Sequence, residues 1–459
     1  MAETFDAIII GAGQAGPFLA ERLARAGLTV ALVERDRFGG TCVNTGCMPT
    51  KTMVASARAA HVVRHSERWG IATSGVTVDM ARVKARADKV IHDASTGLET
   101  WLRGLPDCTV IQGHARFAGP RVVLVGDRVL EADRIFINVG GRAAVPDMPG
   151  VETVPVLTNA SILKLDQVPR HLVVVGGSYV GLEFAQMFRR FGAEVTVIEK
   201  GDRLIAREDP EVSQAVREIL EGEGVKVRTG AECIRFGPEG DQVVVGVDCK
   251  EGEPVVIGSH ALLAVGRRFN TDDLGLEAVG IVLDTRGAIV VDEQLRTAAE
   301  GVWALGECNG RGAFTHTAFN DFEIVAANLL DGAARRVTDR VPAYALYIDP
   351  PLGRAGLTET EARAAGRRVR VGLRPMTRVS RAVERGETAG FLKVVVDADT
   401  DAVLGAAILG VEGDEAIHSI VDAMALGATA KTLGSIMHIH PTVSELIPTV
   451  FGELGPGVG

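Results

Sequence analysis

One sequence unit occurs twice in this chain, and it constrains the fold more than any other feature. The first copy is an apolar strand at 5–10, the turn Gly11-x-Gly13-x-x-Gly16, a helical stretch and a second strand that ends in Glu34. This order is typical of a dinucleotide-binding fold built on a parallel sheet. We expect Gly11 to make the tight turn, Gly13 to admit a pyrophosphate, and Gly16 to let the helix pack closely. Glu34 is expected to bind ribose hydroxyls.

The second copy lies 165 residues further along the chain. Gly176, Ser178 and Gly181 form its turn, and the strand after its helix ends in Glu199. Ser178 replaces the second glycine, so a pyrophosphate has slightly less room to approach the backbone there. Two such folds in one chain predict two bound dinucleotides.

The rest of the sequence limits what else the chain can be. After residue 341, short strands and helices alternate without a phosphate-binding turn, which predicts a third, α+β domain. The formal net charge is −10 and no basic stripe is present, so we expect no nucleic-acid partner. No apolar segment is long enough for a membrane span or an export signal. This favours a cytoplasmic protein without a membrane partner.

The chemically most informative segment contains Cys42 and Cys47, separated by four residues. This spacing is neither a C-x-x-C redox motif nor a zinc motif, and we predict no metal site. In an ideal helix two such residues lie about 8–9 Å apart, beyond the roughly 7 Å that a disulfide tolerates. The pair can therefore bridge only where the helix start is distorted, which Gly46 and Pro49 favour. The other cysteines are expected to be buried, inert thiols: Cys108, Cys233, Cys249 and Cys308.

Taken together, these motifs resemble those of the flavoprotein disulfide reductases, a family that includes dihydrolipoamide dehydrogenase, glutathione reductase and mercuric reductase. The resemblance is carried by the two nucleotide-binding turns, by GGTCVNTGCMPTK at 39–51 and by HPTVSE at 440–445. It covers essentially the whole chain in the order of the family. It implies an α/β fold with two Rossmann-like dinucleotide-binding domains and a C-terminal α+β dimerisation domain.

The resemblance also implies a domain order and an activity. An FAD-binding domain is expected in two parts, 1–148 and 269–338, with an NAD(P)-binding domain at 149–268 and an interface domain at 339–459. The implied activity is that of an NAD(P)H-dependent, FAD-containing disulfide oxidoreductase. Hydride passes from the nicotinamide to FAD, and electrons then pass to the Cys42–Cys47 disulfide and on to a small disulfide or soft electrophile.

Residue roles follow where the motifs match. Cys42 is implied to be the interchange thiol that attacks the substrate, and Cys47 the thiolate that faces the flavin ring. Lys51 and Glu183 resemble the ion pair beside the flavin. Tyr179 resembles the ring that covers the nicotinamide pocket until the cofactor enters. The other residues assigned to the cofactors are Gly40, Thr41, Lys51, Gly141, Gly266 and Glu307, the last standing where the family usually has an aspartate on the ribityl chain.

His440 and Glu445 are implied to be the acid–base pair. An imidazole titrates near neutral pH, so it can protonate a thiol leaving group and deprotonate a thiol nucleophile. A carboxylate on its other nitrogen fixes the tautomer. His438 is the rival, but only His440 precedes a proline as the motif requires. In the family this histidine comes from the partner subunit, so the active sites of the homodimer are expected to be shared.

The cofactor preference and the substrate stay open at this level. Glu199 favours NADH, because a carboxylate there binds a 2′-hydroxyl and repels a 2′-phosphate, while Lys200 and Arg203 nearby leave NADPH open. A metal-ion reductase similar to mercuric reductase is one alternative, although residues 451–459 contain no cysteine. The others are an NAD(P)H oxidase or diaphorase and, in a different class, a non-catalytic, redox-responsive flavoprotein scaffold.

Overall fold

The structure is a computed structural model that describes residues 1–248 and 253–455. These residues form two compact units, each assembled from separate stretches of the chain. The first unit contains Met1–Thr52, Lys84–Ala144 and Gly266–Arg340. The second contains the described residues of Met53–Val83, Val145–Val265 and Val341–Gly459. The domain boundaries at 148, 268 and 338 stay predictions.

The strands are distributed along the whole described chain. They are β1 (Glu3–Ile10), β2 (Val30–Glu34), β3 (Cys108–Gln112), β4 (Ala115–Gly119), β5 (Val122–Val125), β6 (Arg128–Ile137), β7 (Gly141–Ala143), β8 (Val156–Leu157), β9 (His171–Val175), β10 (Glu194–Ile198), β11 (Lys226–Arg228), β12 (Glu232–Glu239), β13 (Gln242–Asp248), β14 (Val255–Gly258), β15 (His260–Leu263), β16 (Arg267–Phe269), β17 (Val302–Ala304), β18 (Ala343–Leu346), β19 (Leu352–Gly356), β20 (Val369–Pro375), β21 (Phe391–Asp397) and β22 (Val403–Leu409).

The α-helices alternate with these strands. They are α1 (Gly16–Arg25), α2 (Gly40–Asn44), α3 (Cys47–Arg64), α4 (Met80–Arg103), α5 (Asn159–Ile162), α6 (Tyr179–Phe191), α7 (Pro210–Gly222), α8 (Thr315–Leu330), α9 (Glu359–Ala364), α10 (Ser380–Arg385), α11 (Gly413–Ala416), α12 (His418–Ala425), α13 (Ala430–Leu433) and α14 (Ile447–Gly452).

A seven-stranded sheet forms the centre of the first unit. Its order is β3-β2-β1-β6-β5-β4, and β17 also pairs with β6. Strand β1 runs parallel to both neighbours, with Ile8 opposite Ala31 and Ile135. All of β2 and the last four residues of β1 are buried, as expected for parallel strands covered on both faces. Helix α1 contributes Leu19 and Leu23 to the same core.

A parallel sheet in the second unit repeats this arrangement. Its order is β11-β10-β9-β15-β8, so the order β3-β2-β1-β6 of the first sheet recurs as β11-β10-β9-β15. Helix α6 packs against β9 and β10 and buries Phe184 and Phe188 completely. The sequence repeat is therefore also a structural repeat.

The C-terminal part of the second unit is built differently. Its sheet is antiparallel throughout, in the order β18-β19-β22-β21-β20. Helices α12, α13 and α14 contribute apolar side chains to one core with this sheet, among them Ile420 and Val450. The predicted α/β class with a C-terminal α+β part is confirmed, and the strand predicted at 5–10 lies within β1. Of the helices in the described ranges, none is both long and apolar enough to cross a bilayer.

Candidate active site

Glycines shape the turn of the first nucleotide-binding fold. Gly11 has a φ of +108°, and a Cβ on it would lie 2.3 Å from the carbonyl oxygen of Asn138. A Cβ on Gly16 would lie 2.2 Å from the carbonyl oxygen of Gly11, so α1 can start this close to β1 only with glycine there. The N-cap residue of α1, Ala15, makes no side-chain hydrogen bond to the helix. The N-terminus of α1 therefore presents backbone N–H groups and a positive dipole to a phosphate.

The turn of the second fold has the same construction. Gly176 has a φ of +113°, and a Cβ on it would lie 2.4 Å from the carbonyl oxygen of Ala264. A Cβ on Gly181 would lie 2.0 Å from the carbonyl oxygen of Gly176. Ser178 is exposed and precedes α6 without capping it through its side chain. Both turns therefore fit the pyrophosphate of a dinucleotide, and the serine is accommodated at the surface.

Two equivalent carboxylates tie these turns to the second strand of each fold. Glu34 Oε2 accepts the N–H of Ala12 at 2.8 Å, and its Oε1 accepts the N–H two residues after Glu34 at 2.9 Å. Glu199 Oε2 accepts the N–H of Gly177 at 2.6 Å, and its Oε1 accepts the N–H two residues after Glu199 at 2.7 Å. A carboxylate has about four lone-pair sites, so each can still accept ribose hydroxyls. Both residues thus fit their predicted role.

Three other predicted glycines lie at close approaches or turns. Gly40 has a φ of +59°, and a Cβ on it would lie 3.0 Å from Gly13 Cα. The backbone of the cysteine segment at Gly40 therefore lies directly against the backbone of the first turn. A Cβ on Gly13 would also lie 3.0 Å from Asn138 Oδ1. Gly266, which follows β15, has a φ of +130°.

The predicted FAD residues Thr41, Gly141 and Glu307 lie together around Arg267. Arg267 Nε lies 2.5 Å from Glu307 Oε1, and Nη2 lies 2.8 Å from Oε2. The same Nη2 donates to the Gly141 carbonyl at 2.6 Å and to Thr41 Oγ1 at 3.3 Å. This two-pronged ion pair fixes the longer glutamate side chain in place. The contact of Glu307 with a flavin stays a prediction.

Sequence reasoning missed Arg267 and two further residues that organise this unit, Asn138 and Asp321. Asn138 Oδ1 accepts the N–H of Gly16 at 3.0 Å, and its Nδ2 donates to a backbone carbonyl after β17. Asp321 accepts the N–H of Gly306 at 2.8 Å, and burial raises the pKa of its carboxyl group. Arg267 is the first residue of β16, whereas Asn138 follows β6 at its carboxyl end, where ligands bind in α/β sheets. That position is a usable signal, whereas no motif marks Asp321 within α8.

Cys42 and Cys47 lie on two consecutive helices rather than on one. Helix α2 contains Cys42, and α3 begins at Cys47. Between them Thr45 has a φ of −143°, and a Cβ on Gly46 would lie 2.9 Å from the carbonyl oxygen of Thr41. The predicted distortion of the helix start is therefore confirmed. It brings the two cysteine side chains within hydrogen-bonding distance.

Both sulfurs are thiols in this structure, and their surroundings differ. The hydrogen bond with Cys47 and then burial raise the pKa of the Cys42 thiol, while Thr315 and Lys51 act in the opposite direction. Cys47 is exposed, and its Sγ lies 3.4 Å from Thr315 Oγ1. The thiolate is the nucleophilic form of cysteine, so Cys42 needs a base at neutral pH.

The other cysteines differ in burial. Cys308 is buried and Cys108 is half-buried. Burial raises the pKa of Cys308 to about 12 and that of Cys108 to about 11, which makes both poor nucleophiles. Cys249 and the side chain of Cys233 lie outside the described residues.

His440 and Glu445 form a hydrogen-bonded pair. His440 Nδ1 lies 2.7 Å from Glu445 Oε2, which also accepts the N–H of Thr442 at 3.3 Å. The carboxylate side chain is 8% exposed and the imidazole 74% exposed. Because Nδ1–H donates to the carboxylate, Nε2 is the nitrogen that can exchange a proton with a thiol. The rival His438 is instead bound through Nδ1 to the backbone carbonyl of Ser444 at 2.5 Å.

The remaining predicted residues belong to both units. Lys51 lies on α3 within the first unit, and Glu183 lies on α6 within the second. Glu183 is buried and accepts the N–H of Tyr347 at 3.0 Å. The ion pair of Lys51 with Glu183 stays a prediction. Tyr179 is the first residue of α6, and its hydroxyl donates to Glu208 Oε1 at 2.9 Å.

These features define a class of protein. An enzyme that moves electrons between dinucleotides and sulfur needs two dinucleotide-binding folds, two neighbouring thiols and an acid–base group such as an imidazole–carboxylate pair. Residues 5–321 match the family described as pyridine nucleotide-disulphide oxidoreductase, and residues 342–451 match the dimerisation domain of that family. The chain belongs to this family.

Individual relatives match nearly the whole chain. The probable pyridine nucleotide-disulfide oxidoreductase RclA of Escherichia coli is 35% identical over 97% of this chain and 98% of its own length. The dihydrolipoyl dehydrogenase of Thermus scotoductus is 35% identical over 96% of each chain. The mercuric reductase of Bacillus cereus is 31% identical over 96% of this chain and 70% of its own length.

Solved structures show the same likeness. The Cu(II) complex of the HOCl-induced flavoprotein disulfide reductase RclA from Escherichia coli has a TM-score of 0.89 and 34% sequence identity, and the match covers 98% of this chain and 99% of that one. The chain is therefore a flavoprotein disulfide oxidoreductase that contains FAD and takes electrons from NAD(P)H. Its dimerisation domain is of the kind that forms homodimers.

Proposed function

We propose that this enzyme reduces a small disulfide or soft electrophile through the dithiol of Cys42 and Cys47. The observation that supports this most directly is the hydrogen-bonded thiol pair at the break between α2 and α3. Bound FAD supplies two-electron chemistry between the nicotinamide and this pair. The two glycine turns of the chain would bind the dinucleotides, and the two thiols lie in the segment beside the first glycine turn.

The exchange step balances with groups that the protein itself supplies. Cys42 attacks one sulfur of the substrate disulfide, and the substrate S–S bond breaks as a mixed disulfide forms. The leaving thiolate takes a proton from His440. Cys47 then loses its proton and attacks the Cys42 sulfur, which restores the Cys42–Cys47 disulfide. The proton from Cys47 passes to the second leaving sulfur, which departs as a thiol. One disulfide thus gains two electrons and two protons and leaves as two thiols.

His440 moves the protons in this scheme. The raised pKa of Cys42 means that its attack needs a base, and Nε2 of His440 supplies one. The imidazolium that results is stabilised by Glu445 at Nδ1. The same proton is then available for the leaving thiolate.

Cys42→Ser tests this proposal. Disulfide reduction should fall to background, while reduction of a quinone dye by NADH should survive, because it needs only the dinucleotides. Cys108→Ser is the matched control, since it removes a half-buried thiol of the same unit and should keep both activities. A Cys42→Ser enzyme that still reduces disulfides at the normal rate would contradict the dithiol mechanism. A protein whose flavin does not bleach with NADH or NADPH would favour the scaffold alternative.

We further propose that His440 serves the thiols of the partner subunit. Its imidazole is largely exposed within one chain, and the neighbouring Met437 and Ile439 are exposed apolar residues, as an interface would bury. Co-expression of Cys42→Ser with His440→Gln chains tests this, because a mixed dimer then has one site with both lesions and one with neither. Recovered activity supports a shared site. Confirmed mixed dimers without activity would place both residues in one subunit's site.

NADH is the proposed electron donor. Glu199 is fixed by two backbone N–H groups, so its negative charge stays where a 2′-phosphate would have to bind. The ratio of kcat/KM for NADH to that for NADPH should therefore be greater than one. Glu199→Gln should reduce this ratio, and a wild-type preference for NADPH would contradict the assignment.

A second candidate activity is the reduction of a metal ion, with the ion as substrate. It is favoured by the Cu(II) complex of the related RclA and by the match to a mercuric reductase. Two neighbouring thiols are soft ligands that suit Cu(I) and Hg(II). Side-by-side assays with lipoamide, glutathione disulfide, Cu(II) and Hg(II), each with NADH and with NADPH, decide between the substrate classes. Cys42→Ser in each assay separates dithiol chemistry from direct electron transfer by the flavin, the oxidase or diaphorase alternative.

A cytoplasmic location is the last proposal. Thiols that must return to the reduced form suit a compartment in which thiols are kept reduced. Fractionation of the source cells, followed by immunodetection, tests it, and detection only in an exported fraction would contradict it.

A further inference from the structure

A buried carboxylate in the second unit holds the hydroxyl of Tyr179. Glu208 is 1% exposed, and its Oε1 accepts O–H bonds from Tyr179 at 2.9 Å and from Tyr344 at 2.7 Å. The two rings pack edge to face, with centroids 5.7 Å apart. Burial and the charge of Glu208 raise the pKa of both phenols, that of Tyr344 to about 12. Both hydroxyls therefore stay protonated and act as donors.

Arg354 balances the charge of this carboxylate. Its side chain is 1% exposed, and its Nε lies 3.5 Å from Glu208 Oε2. Within the described part of the chain, Glu208 Oε2 and the three guanidinium nitrogens of Arg354 have no hydrogen-bond partner. Arg354 thus acts on Glu208 through its charge, while the hydrogen bonds to Oε1 come from the two tyrosines. If Glu208 loses one of its two O–H donors, water cannot replace that hydrogen bond, because the carboxylate is buried.

We propose that Glu208 is a positioning residue for the nicotinamide site, where it acts as a latch on Tyr179 that dinucleotide binding must release. This inference rests on the proposed function and on the role that the family resemblance implies for Tyr179, which is to cover the nicotinamide pocket until the cofactor enters. Tyr179 starts α6 directly after the turn at 176–178, so its ring belongs to the segment that receives the pyrophosphate. When the Tyr179 ring moves away, Tyr344 and Arg354 remain on Glu208. The carboxylate then stays paired, and the latch can re-form.

Tyr179→Phe removes the latch and keeps the ring. Hydrogen bonds to charged groups are worth roughly ten-fold or more in an equilibrium constant, so NADH binding should tighten about 10-fold. Stopped-flow measurement of flavin reduction against NADH concentration gives the dissociation constant and the limiting rate separately. The dissociation constant for NADH should decrease in Tyr179→Phe, whereas the limiting rate of flavin reduction should change much less. A merely structural bond would lower the unfolding temperature without tightening NADH binding.

Tyr344→Phe is the matched control. It removes a hydroxyl from the same carboxylate oxygen but leaves the bond to Tyr179, so it should not tighten NADH binding. Glu208→Gln should act in the same direction as Tyr179→Phe, and the double variant should show little further effect. If Glu208→Gln fails to fold, Tyr179→Phe and Tyr344→Phe still decide the question.

Two outcomes overturn the latch. Unchanged or weaker NADH binding in Tyr179→Phe would show that the hydroxyl does not restrain the ring. Equal tightening in Tyr344→Phe would show that the effect is not specific to Tyr179. Tyr179→Ala separates this result from the wider assignment. If it alters NADH binding while Tyr179→Phe does not, the ring covers the pocket but Glu208 is no latch; if it alters nothing, Tyr179 has no role in the nicotinamide site and the latch fails with it.

Discussion

Replacement of Glu445 by glutamine isolates what this carboxylate contributes to the acid–base step. The change removes a negative charge 2.7 Å from His440 Nδ1 but keeps an oxygen acceptor of nearly the same size. The Glu445 side chain is 8% exposed and the His440 imidazole 74% exposed in one chain, and we expect the partner subunit to exclude solvent from the imidazole in the dimer. A hydrogen bond to a charged group contributes about 1.5–3 kcal/mol, and each 1.36 kcal/mol is tenfold in rate. The thiol–disulfide half-reaction should therefore slow about 10- to 150-fold.

The half-reaction can be followed alone. Enzyme reduced under anaerobic conditions is mixed with the disulfide in a stopped-flow instrument, and the return of oxidised flavin absorbance is recorded. His440→Gln removes the imidazole itself and should slow this phase about 10²- to 10⁴-fold. His438→Gln is the control, because that histidine binds a backbone carbonyl and should leave the phase unchanged. A wild-type rate in Glu445→Gln, or a larger loss in His438→Gln than in His440→Gln, would refute the assignment.

The two glycine turns and one half-buried histidine give three more predictions. In Gly16→Ala a Cβ would lie 2.2 Å from the Gly11 carbonyl oxygen, so the purified protein should lose its flavin absorbance. In Gly181→Ala a Cβ would lie 2.0 Å from the Gly176 carbonyl oxygen, so the variant should keep its flavin but no longer bleach with NADH; the reverse pattern would contradict the assignment of the two folds. Burial lowers the pKa of His61 from 6.5 to about 4, so its contribution to stability is present above about pH 6.5 and is lost as the pH falls through about 4. Because His61 is only half-buried, solvent screening reduces the effect, and urea titrations at fixed protein concentration should show a loss of about 1–2 kcal/mol across that window. An equally steep loss in His61→Gln would contradict this.

The sequence predicted the features that depend on local constraints. A glycine turn between a strand and a helix needs particular residues within a few positions, so Gly11, Gly16 and their repeat 165 residues later could be recognised directly. The break between Cys42 and Cys47 was predictable for the same reason, because a regular helix cannot bring these residues together.

Features that depend on distant side chains could not be predicted in this way. Arg267 meets Glu307 across 40 residues, and Tyr344 meets Glu208 across 136. Such pairs form because the fold places their backbones side by side, and no local pattern records which side chains will meet. A polar residue at the carboxyl end of a strand is the most that the sequence offered, as with Asn138.

We propose that Cys42 and Cys47 form a second redox centre beside the flavin, and the number of electrons that the enzyme accepts tests this directly. An anaerobic titration with NADH, followed by flavin absorbance, counts the electron pairs that each chain accepts. We expect two pairs per flavin for the wild-type enzyme, one stored as the dithiol and one in the flavin, and a single pair for Cys42→Ser. A wild-type enzyme that accepts only one pair, or a Cys42→Ser variant that still accepts two, would contradict it.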